Sequence, residues 1–432
     1  MEIIIVGAGI GGLSAALCLA IAGHKITIVE SASQLAEIGA GVQMTPNATK
    51  YFWKWGLGPD ILAKAALPAA FNVRQDVNGH IIGSVPFANF EARYGAPYIV
   101  IHRADIHRIL HEHAVKAGVD IKLSCRVVKY DFDGGGIVLA NGDRLQADLV
   151  VAVDGINSSA RESLCAGNSE THLTKAGWAA YRARVPVSQI RSDPRTALVV
   201  SQHNCNCWVG DSLSVMTYMM KSSELLNMVL SHPDDVDTKT WSQEEYKAKI
   251  LRLFDGWDPC VIALIEMAQP NVQNWPVEQV MPLRRWASST GRFVLMGDAA
   301  HAMAFYLSMG VSMAVEDAAA LAECLSLRSS SRASLAEAML VFEKVRKARV
   351  EAVREASLHA GNTLHLPPGL QREARNASLL SDGLNEEERN VDRFYAEGNA
   401  YGIADRRIRD WCYGYDVIEA IQEGWSHRLG LK

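Results

Sequence analysis

Three short segments place glycines and carboxylates where a long phosphorylated ligand could be gripped. The first is Gly7-Ala-Gly-Ile-Gly-Gly12, in which Gly7, Gly9 and Gly12 fill the G-x-G-x-x-G positions. Gly7 permits a tight turn, Gly9 lets a pyrophosphate touch backbone, and Gly12 lets helix and strand pack closely. Glu30 follows Gly12 by 18 residues, near the spacing of about 20 at which an acid meets a ribose hydroxyl. An acid there favours an unphosphorylated adenosine ribose, as in FAD or NAD. The second segment is Asp154-Gly155-Ile-Asn-Ser158-Ser-Ala-Arg161, and the third is Gly297-Asp298-Ala-Ala-His301. A carboxylate is a strong, acceptor-only group, so Asp298 suits sugar or ribityl hydroxyls. One Gly-Asp pair is common in any sequence; the three segments in this order predict distributed contacts to an extended dinucleotide.

The flanking elements must present these turns. Ile3-Ile-Ile-Val6 reads as a strand buried on both faces, Leu13 to Ala22 as an Ala-rich helix stopped by Gly23, and Lys25 to Val29 as a second strand. The helix start then offers unpaired N–H groups and a positive dipole end to phosphates. Ala147 to Val153 and Gly291 to Gly297 read as further buried strands that end in the second and third turns. Ligands bind at such carboxyl ends in open α/β sheets. Two β-rich stretches interrupt this pattern. Phe71 to Val100 has short runs around an Asn78-Gly79 hairpin turn, and Trp178 to Tyr218 holds runs that include Ala197 to Ser201. They are expected to join in one mixed or antiparallel sheet, with helices at Glu244 to Phe254 and Pro259 to Met267 over it. Helices are also expected over Asn47 to Trp55, Val311 to Leu325 and Leu335 to Leu358; the segment Gln34 to Gln43 reads as a loop covering the ligand.

The 432 residues exceed one compact core. With 49% hydrophobic residues, 21% charged and a net charge of −5, the composition is that of an ordinary globular protein with no electrostatic footprint for nucleic acid. No apolar run reaches the roughly 18–20 residues of a spanning helix. The 8 cysteines are scattered, and Cys205-Asn-Cys207 fits no common zinc spacing, so no metal site is expected. The first strand opens at Glu2 or Ile3, which leaves no room for a signal peptide, and reduced thiols in a cytoplasmic setting are expected.

With these motifs quoted, the sequence resembles the FAD-dependent aromatic monooxygenases related to 4-hydroxybenzoate and salicylate hydroxylases, the salicylate-hydroxylase-like members of fungi above all. The resemblance rests on the GxGxxG–Glu unit, the D-G-x-x-S-x-x-R segment (Asp154, Gly155, Ser158, Arg161), the Gly297-Asp298 pair and Arg103 in His-Arg-Ala-Asp. It implies an α/β fold: a Rossmann-like FAD-binding domain (1–70, 101–172 and 284–328) interrupted by a β-sheet substrate domain (71–100 and 173–283), with a C-terminal helical region (329–432). It also implies FAD as cofactor, NADH or NADPH as reductant without a Rossmann domain of its own, and O2 as co-substrate. Flavin contacts are implied at Gly7, Gly9, Gly12, Glu30, Ala40, Gly41, Val42, Arg103, Val127, Asp154, Gly155, Arg161, Gly297, Asp298, Gly310 and Val311. The chemistry implied is hydroxylation or epoxidation of an aromatic or indole-type ring through a flavin C4a-hydroperoxide, in a monomer or homodimer.

On the substrate side, Tyr181 and Arg182 fall on opposite faces if their run is a strand. Arg182 could hold a phenolate, carboxylate or peroxide oxygen; the resemblance pairs it with Tyr218. Trp208, Phe305 and Tyr306 are expected in the substrate pocket, with Trp178 a further aromatic candidate. His301 is expected to be structural. Two positions depart from the family: Phe305 stands where relatives carry proline, and Met309 where they carry glutamine. Both are expected against the flavin, which leaves two alternatives open: a flavoenzyme that oxidises or cyclises without inserting oxygen, and a flavin-binding protein without catalysis. A plain NAD reductase would instead be colourless.

Overall fold

A computed structural model describes residues 1–35, 41–166, 172–220, 224–331, 333–381 and 406–428. Its first layer is a five-stranded parallel sheet, in the order Phe293–Leu295, Leu149–Ala152, Glu2–Val6, Lys25–Val29, Asp120–Lys122. Ile3 to Val6 pair on one side with Leu149 to Ala152 and on the other with Ile26 to Val29, and all four are buried. A central parallel strand covered on both faces has to be apolar throughout, and this one is. The helix Ile10–Ile21 packs against the helices Arg103–Lys116 and Gly310–Ser331. Two glycines allow the first turn to close. Gly7 has φ +103°, and a Cβ on Gly12 would sit 2.0 Å from the Gly7 carbonyl oxygen.

The second layer is a seven-stranded sheet ordered Gln273–Val280, Leu173–Pro186, Leu225–Pro233, Ser214–Met219, Cys205–Val209, Ala70–Gln75, Ile81–Pro86. Only Cys205–Val209 with Ala70–Gln75 is a parallel pair, so the two β-rich stretches do join at that seam. Alternation sorts the side chains. Tyr181, Ala183, Val185, Trp208, Val215, Met228 and Leu230 form one core with the helices Gln243–Leu253 and Pro259–Glu266. Their sheet neighbours Arg182, Cys207, Met216, Tyr218, Asn227 and Val229 face the other way. A bulge between Lys175 and Ala179, with Gly177 at φ +80°, bends the long strand between its two halves.

Smaller pieces complete the frame. Gly41–Met44 pairs with Ile99–His102, and Val127–Asp131, Gly136–Leu139 and Arg144–Gln146 make an antiparallel sheet of their own. The helix after Pro46 runs Pro46–Lys54, and the helices expected at 311 and 335 extend further, as Gly310–Ser331 and Leu335–Leu364. Three expectations fail. The Gln34 to Gln43 loop gives way at Gly41 to a strand, because Gly41–Met44 pairs with Ile99–His102, which also takes the end of the Phe71 to Val100 stretch out of the large sheet. Ala197–Val200 is a 3₁₀ turn and no strand, because its short run follows the helix Val187–Ser192 and closes back on it through Thr196 and Asp193. Leu225–Pro233, not anticipated, is a central strand of the large sheet. Among the described residues no helix is long and apolar enough to cross a membrane.

Candidate active site

The three polar turns meet because their strands are neighbours. The Gly7, Asp154 and Gly297 turns leave the carboxyl ends of Glu2–Val6, Leu149–Ala152 and Phe293–Leu295, which stand side by side in one parallel sheet. Glu30 ends the next strand along. Its carboxylate accepts from Ala8 N–H (2.8 Å) and Ala32 N–H (2.8 Å), which fixes the glycine turn from below. Val127 is buried just after Cys125, whose N–H donates to the Glu30 carbonyl. Ala40 lies outside the described residues.

Arg161 is buried and works between turns. Its guanidinium donates to the carbonyl oxygens of Ile156 (2.7 Å) and Ala299 (3.2 Å), tying the Asp154 turn to the Asp298 turn. Beneath them, Asp317 accepts from Gly297 N–H (3.0 Å) and is paired with His301 (2.6 Å) and Arg346 (2.7 Å). Burial would push the Asp317 carboxyl up, but His301 and Arg346 outweigh it and hold it at about 2. His301 therefore lies under the site rather than in it.

A cavity of about 260 Å³ lies between the large sheet and the segment that follows His301. From the sheet it takes Arg182, Cys207, Ser214, Met216, Tyr218, Asn227, Val229 and Ser231; from the segment it takes Met303, Phe305, Tyr306, Ser308, Gly310 and Val311; Gly41 to Gln43, Arg103 and Asp298 complete the rim. The expected residues Gly41, Val42, Arg103, Arg182, Tyr218, Asp298, Phe305, Tyr306, Gly310 and Val311 are thus brought to one space. Trp208 is not. It is 0% exposed on the opposite face, where its indole N–H donates to Asp258 (2.7 Å). Trp178 stacks on His365 instead, and Met309 is buried against Thr45.

Polarity inside the cavity is unevenly satisfied. Tyr218 O–H donates to the Gly41 carbonyl (2.7 Å), and burial raises its pKa, so it stays a neutral donor. Tyr306 O–H pairs with Ser231 (2.9 Å), and Ser214 pairs with His365 (2.8 Å). Arg182 Nε, by contrast, is buried without a hydrogen-bond partner, as are both amide atoms of Asn227. Burial lowers the Arg182 pKa, and the nearby Tyr218 opposes that shift while Arg103 adds to it. Asn227 was not anticipated from sequence. The available signal was a lone amide in the apolar run Leu225-Leu-Asn-Met-Val-Leu230.

The residues present fit a flavin dinucleotide at three points. A Cβ on Gly9 would meet no protein atom within 4 Å, and neither would one on Gly155, so backbone is bare where phosphates would approach. Asp154 Oδ1 is buried and unpartnered while Oδ2 caps the next helix at Ala160. The N-terminus of Gly310–Ser331 opens on the cavity at Gly310 and Val311.

The family model described as the FAD binding domain matches residues 1–357. The chain belongs to the FAD-dependent monooxygenases. It is 31% identical to "FAD-dependent monooxygenase OpS4" of Beauveria bassiana, covering 97% of this chain and 96% of that protein. It is 28% identical to a 3-hydroxybenzoate 6-hydroxylase of Polaromonas naphthalenivorans, over 96% of each chain. Among solved structures, a salicylate hydroxylase substrate complex superposes with a TM-score of 0.76, covering 98% of each chain at 23% identity, which shows the shared fold. As a member of this family the protein is a flavoprotein oxidoreductase, an FAD-dependent hydroxylase. Among the described residues no cluster of His, Cys, Asp or Glu could hold a metal ion.

Proposed function

We propose that this monooxygenase uses NADH or NADPH and O2 to place one oxygen atom on an electron-rich aromatic or indole-type ring held in the cavity at Arg182. The supporting observation is the buried, unpartnered Arg182 Nε facing a space whose other walls come from the Asp298 turn and the start of the Gly310 helix. FAD held by these turns would supply the redox chemistry, hydride acceptance and activation of O2. The balance is substrate, O2, NAD(P)H and a proton going to hydroxylated substrate, water and NAD(P)⁺.

The chain's own residues bind, orient and exclude water. The bare backbone at Gly9 and Gly155 would meet the phosphates, and Asp298 and the free Asp154 oxygen would take sugar or ribityl hydroxyls. The N–H groups at Gly310 and Val311 point a helix dipole at negative charge developing on the cofactor. Arg182 holds a fixed positive charge in a water-poor space, where it stabilises a phenolate or carboxylate oxygen of the substrate and so raises electron density on the ring. Tyr218 pins Gly41, whose absent side chain permits the contact: a Cβ there would lie 2.5 Å from the Tyr218 ring. The strands at 70–86 and 173–280 then serve as the substrate half, and 1–70, 101–172 and 284–328 as the cofactor half.

Incubation with ¹⁸O2 and NAD(P)H tests this reading. Product carrying one labelled oxygen, with substrate-stimulated NAD(P)H oxidation, is expected. Phe305 on the cavity wall favours one other reading, a flavoenzyme that oxidises or cyclises without inserting oxygen. Turnover to unlabelled product would establish that reading and remove the first.

A further inference from the structure

Asn227 is 0% exposed and lines the cavity, yet neither its Oδ1 nor its Nδ2 has a hydrogen-bond partner among the described residues. Buried side-chain amides are almost always paired, because an unpaired buried donor or acceptor is costly. Apart from Arg182, whose Nε is also unpartnered, the polar groups of the same wall follow that rule. Tyr218 is taken by Gly41, Ser231 by Tyr306 and Ser214 by His365. The Asn227 backbone is held from both sides, opposite Tyr218 on one neighbouring strand and Arg184 on the other. Its side chain carries one acceptor and one donor side by side.

Accepting the monooxygenase reading of this cavity, we infer that Asn227 selects the substrate, and that its complement is a cis amide edge: a ring N–H beside a C=O, as in a lactam or cyclic imide. A carboxylate offers only acceptors and would leave Oδ1 unpaired; a hydrocarbon would leave both atoms unpaired, and a lone phenolic hydroxyl could pair only one of them well. Arg182 sits opposite Val229, hence diagonal to Asn227 on the same face. Diagonal neighbours across strands stand about 7–8 Å apart, a distance spanned by two fused rings. The substrate class is then a fused bicyclic heteroaromatic with an enol or phenolic oxygen at Arg182 and its lactam edge at Asn227.

The test compares a hydroxyquinolone, which has the N–H/C=O edge, with a naphthol of the same outline, whose single hydroxyl matches the quinolone's phenolic oxygen and which has no polar group at the lactam edge. Binding to the FAD-loaded protein is followed by calorimetry and by the shift in flavin absorbance, for wild type and for Asn227→Leu and Asn227→Asp. Melting temperature and flavin content check that both variants are folded. Wild type is expected to prefer the quinolone by at least tenfold; Asn227→Leu should abolish that preference, and Asn227→Asp, which can only accept, should weaken the quinolone while still taking its N–H. Equal affinity for the two compounds in wild type, no binding of either, or a preference that survives Asn227→Leu would overturn the inference. Loss of oxygen incorporation with the binding preference intact would count against the monooxygenase reading and leave the role of Asn227 standing.

Discussion

At Arg182 the sequence and the structure meet most directly. The run Ala179-Ala-Tyr-Arg182 already implied opposite faces for Tyr181 and Arg182, and the strand does put Tyr181 against His232 in one core and Arg182 in the cavity. Arg182 stacks over Trp275 at 5.3 Å, which steadies the guanidinium while its Nε remains unpartnered. If Arg182 holds the substrate as proposed, replacing it with Ala removes one charge-assisted hydrogen bond, and a loss of roughly 10- to 100-fold in kcat/KM is expected. Arg182→Lys keeps the charge but not the planar fork and is expected to recover only part of that loss. Both variants are expected to keep their flavin absorbance, measured on the purified proteins; an Arg182→Ala enzyme with unchanged kcat/KM would show that another group holds the substrate. Trp208 shows the limit of reading residues singly. An aromatic side chain suggested a pocket, but the strand's phase turns Cys207 inward and Trp208 outward. That phase depends on the register with Ser214–Met219, which a single sequence does not reveal.

Among the elements, Gly310–Ser331 links cofactor site, cavity and core. Its first residues face the cavity, and one turn further in it buries two carboxylates, Glu316 and Asp317, both 0% exposed. Arg346 of Leu335–Leu364 pairs with both at 2.7 Å, Asn47 donates to Glu316 at 2.7 Å, and Asp317 holds Gly297. One buried guanidinium thus aligns the helix start with the Gly297 turn. A buried pair of this kind adds little net stability, but removing one partner strands the other. Arg346→Met should therefore cost about 3–5 kcal/mol, read by denaturant or thermal unfolding, with weaker retention of FAD on dilution. A variant that melts like wild type would mean that water or a local shift satisfies the carboxylates. The strand–turn–helix units were legible because glycine spacing and buried apolar runs are local signals. The two acids gave no such local signal, because their partner lies some 30 residues away on another helix. Ala197–Val200 misled for the same reason: Val-rich runs suggest strands, and here contacts to Thr196 and Asp193 decide otherwise.

Over the whole molecule, neighbouring strand tips bring the three polar turns together, and the large sheet supplies one wall of the cavity. The strand order behind both is non-local, so the sequence could suggest two layers without saying which side chains meet. The C-terminal stretch was least legible: its composition gave no role to Trp411 to Tyr415. The structure docks it on the main core and on the helix that carries Arg93 and Tyr94. Ile408, Cys412, Tyr413, Val417, Ile421 and Trp425 are buried in the main core, Tyr413 lies edge-on to Tyr94, and Arg349 stacks on both Trp411 and Tyr415. Lys50 donates to the Tyr415 carbonyl (2.7 Å), and Arg93 and Tyr94 bind Asp410. Val417–Arg428 packs on Gly310–Ser331, where Gln422 donates to Glu323 (2.8 Å). Burying a large apolar side chain contributes roughly 1.5–3 kcal/mol, so losing six of them approaches the 5–15 kcal/mol that holds a typical protein folded. A chain ending at residue 405 is accordingly expected to be largely insoluble, and any soluble fraction to melt well below wild type and to lose FAD on gel filtration. Tyr413→Ala, which only opens a cavity, should cost about 3–5 kcal/mol and leave a yellow protein. If the truncated chain instead melted within a degree or two of wild type with its flavin bound, these helices would be an appendage, and Leu335–Leu364, Ile10–Ile21 and Pro46–Lys54 would suffice to back Gly310–Ser331.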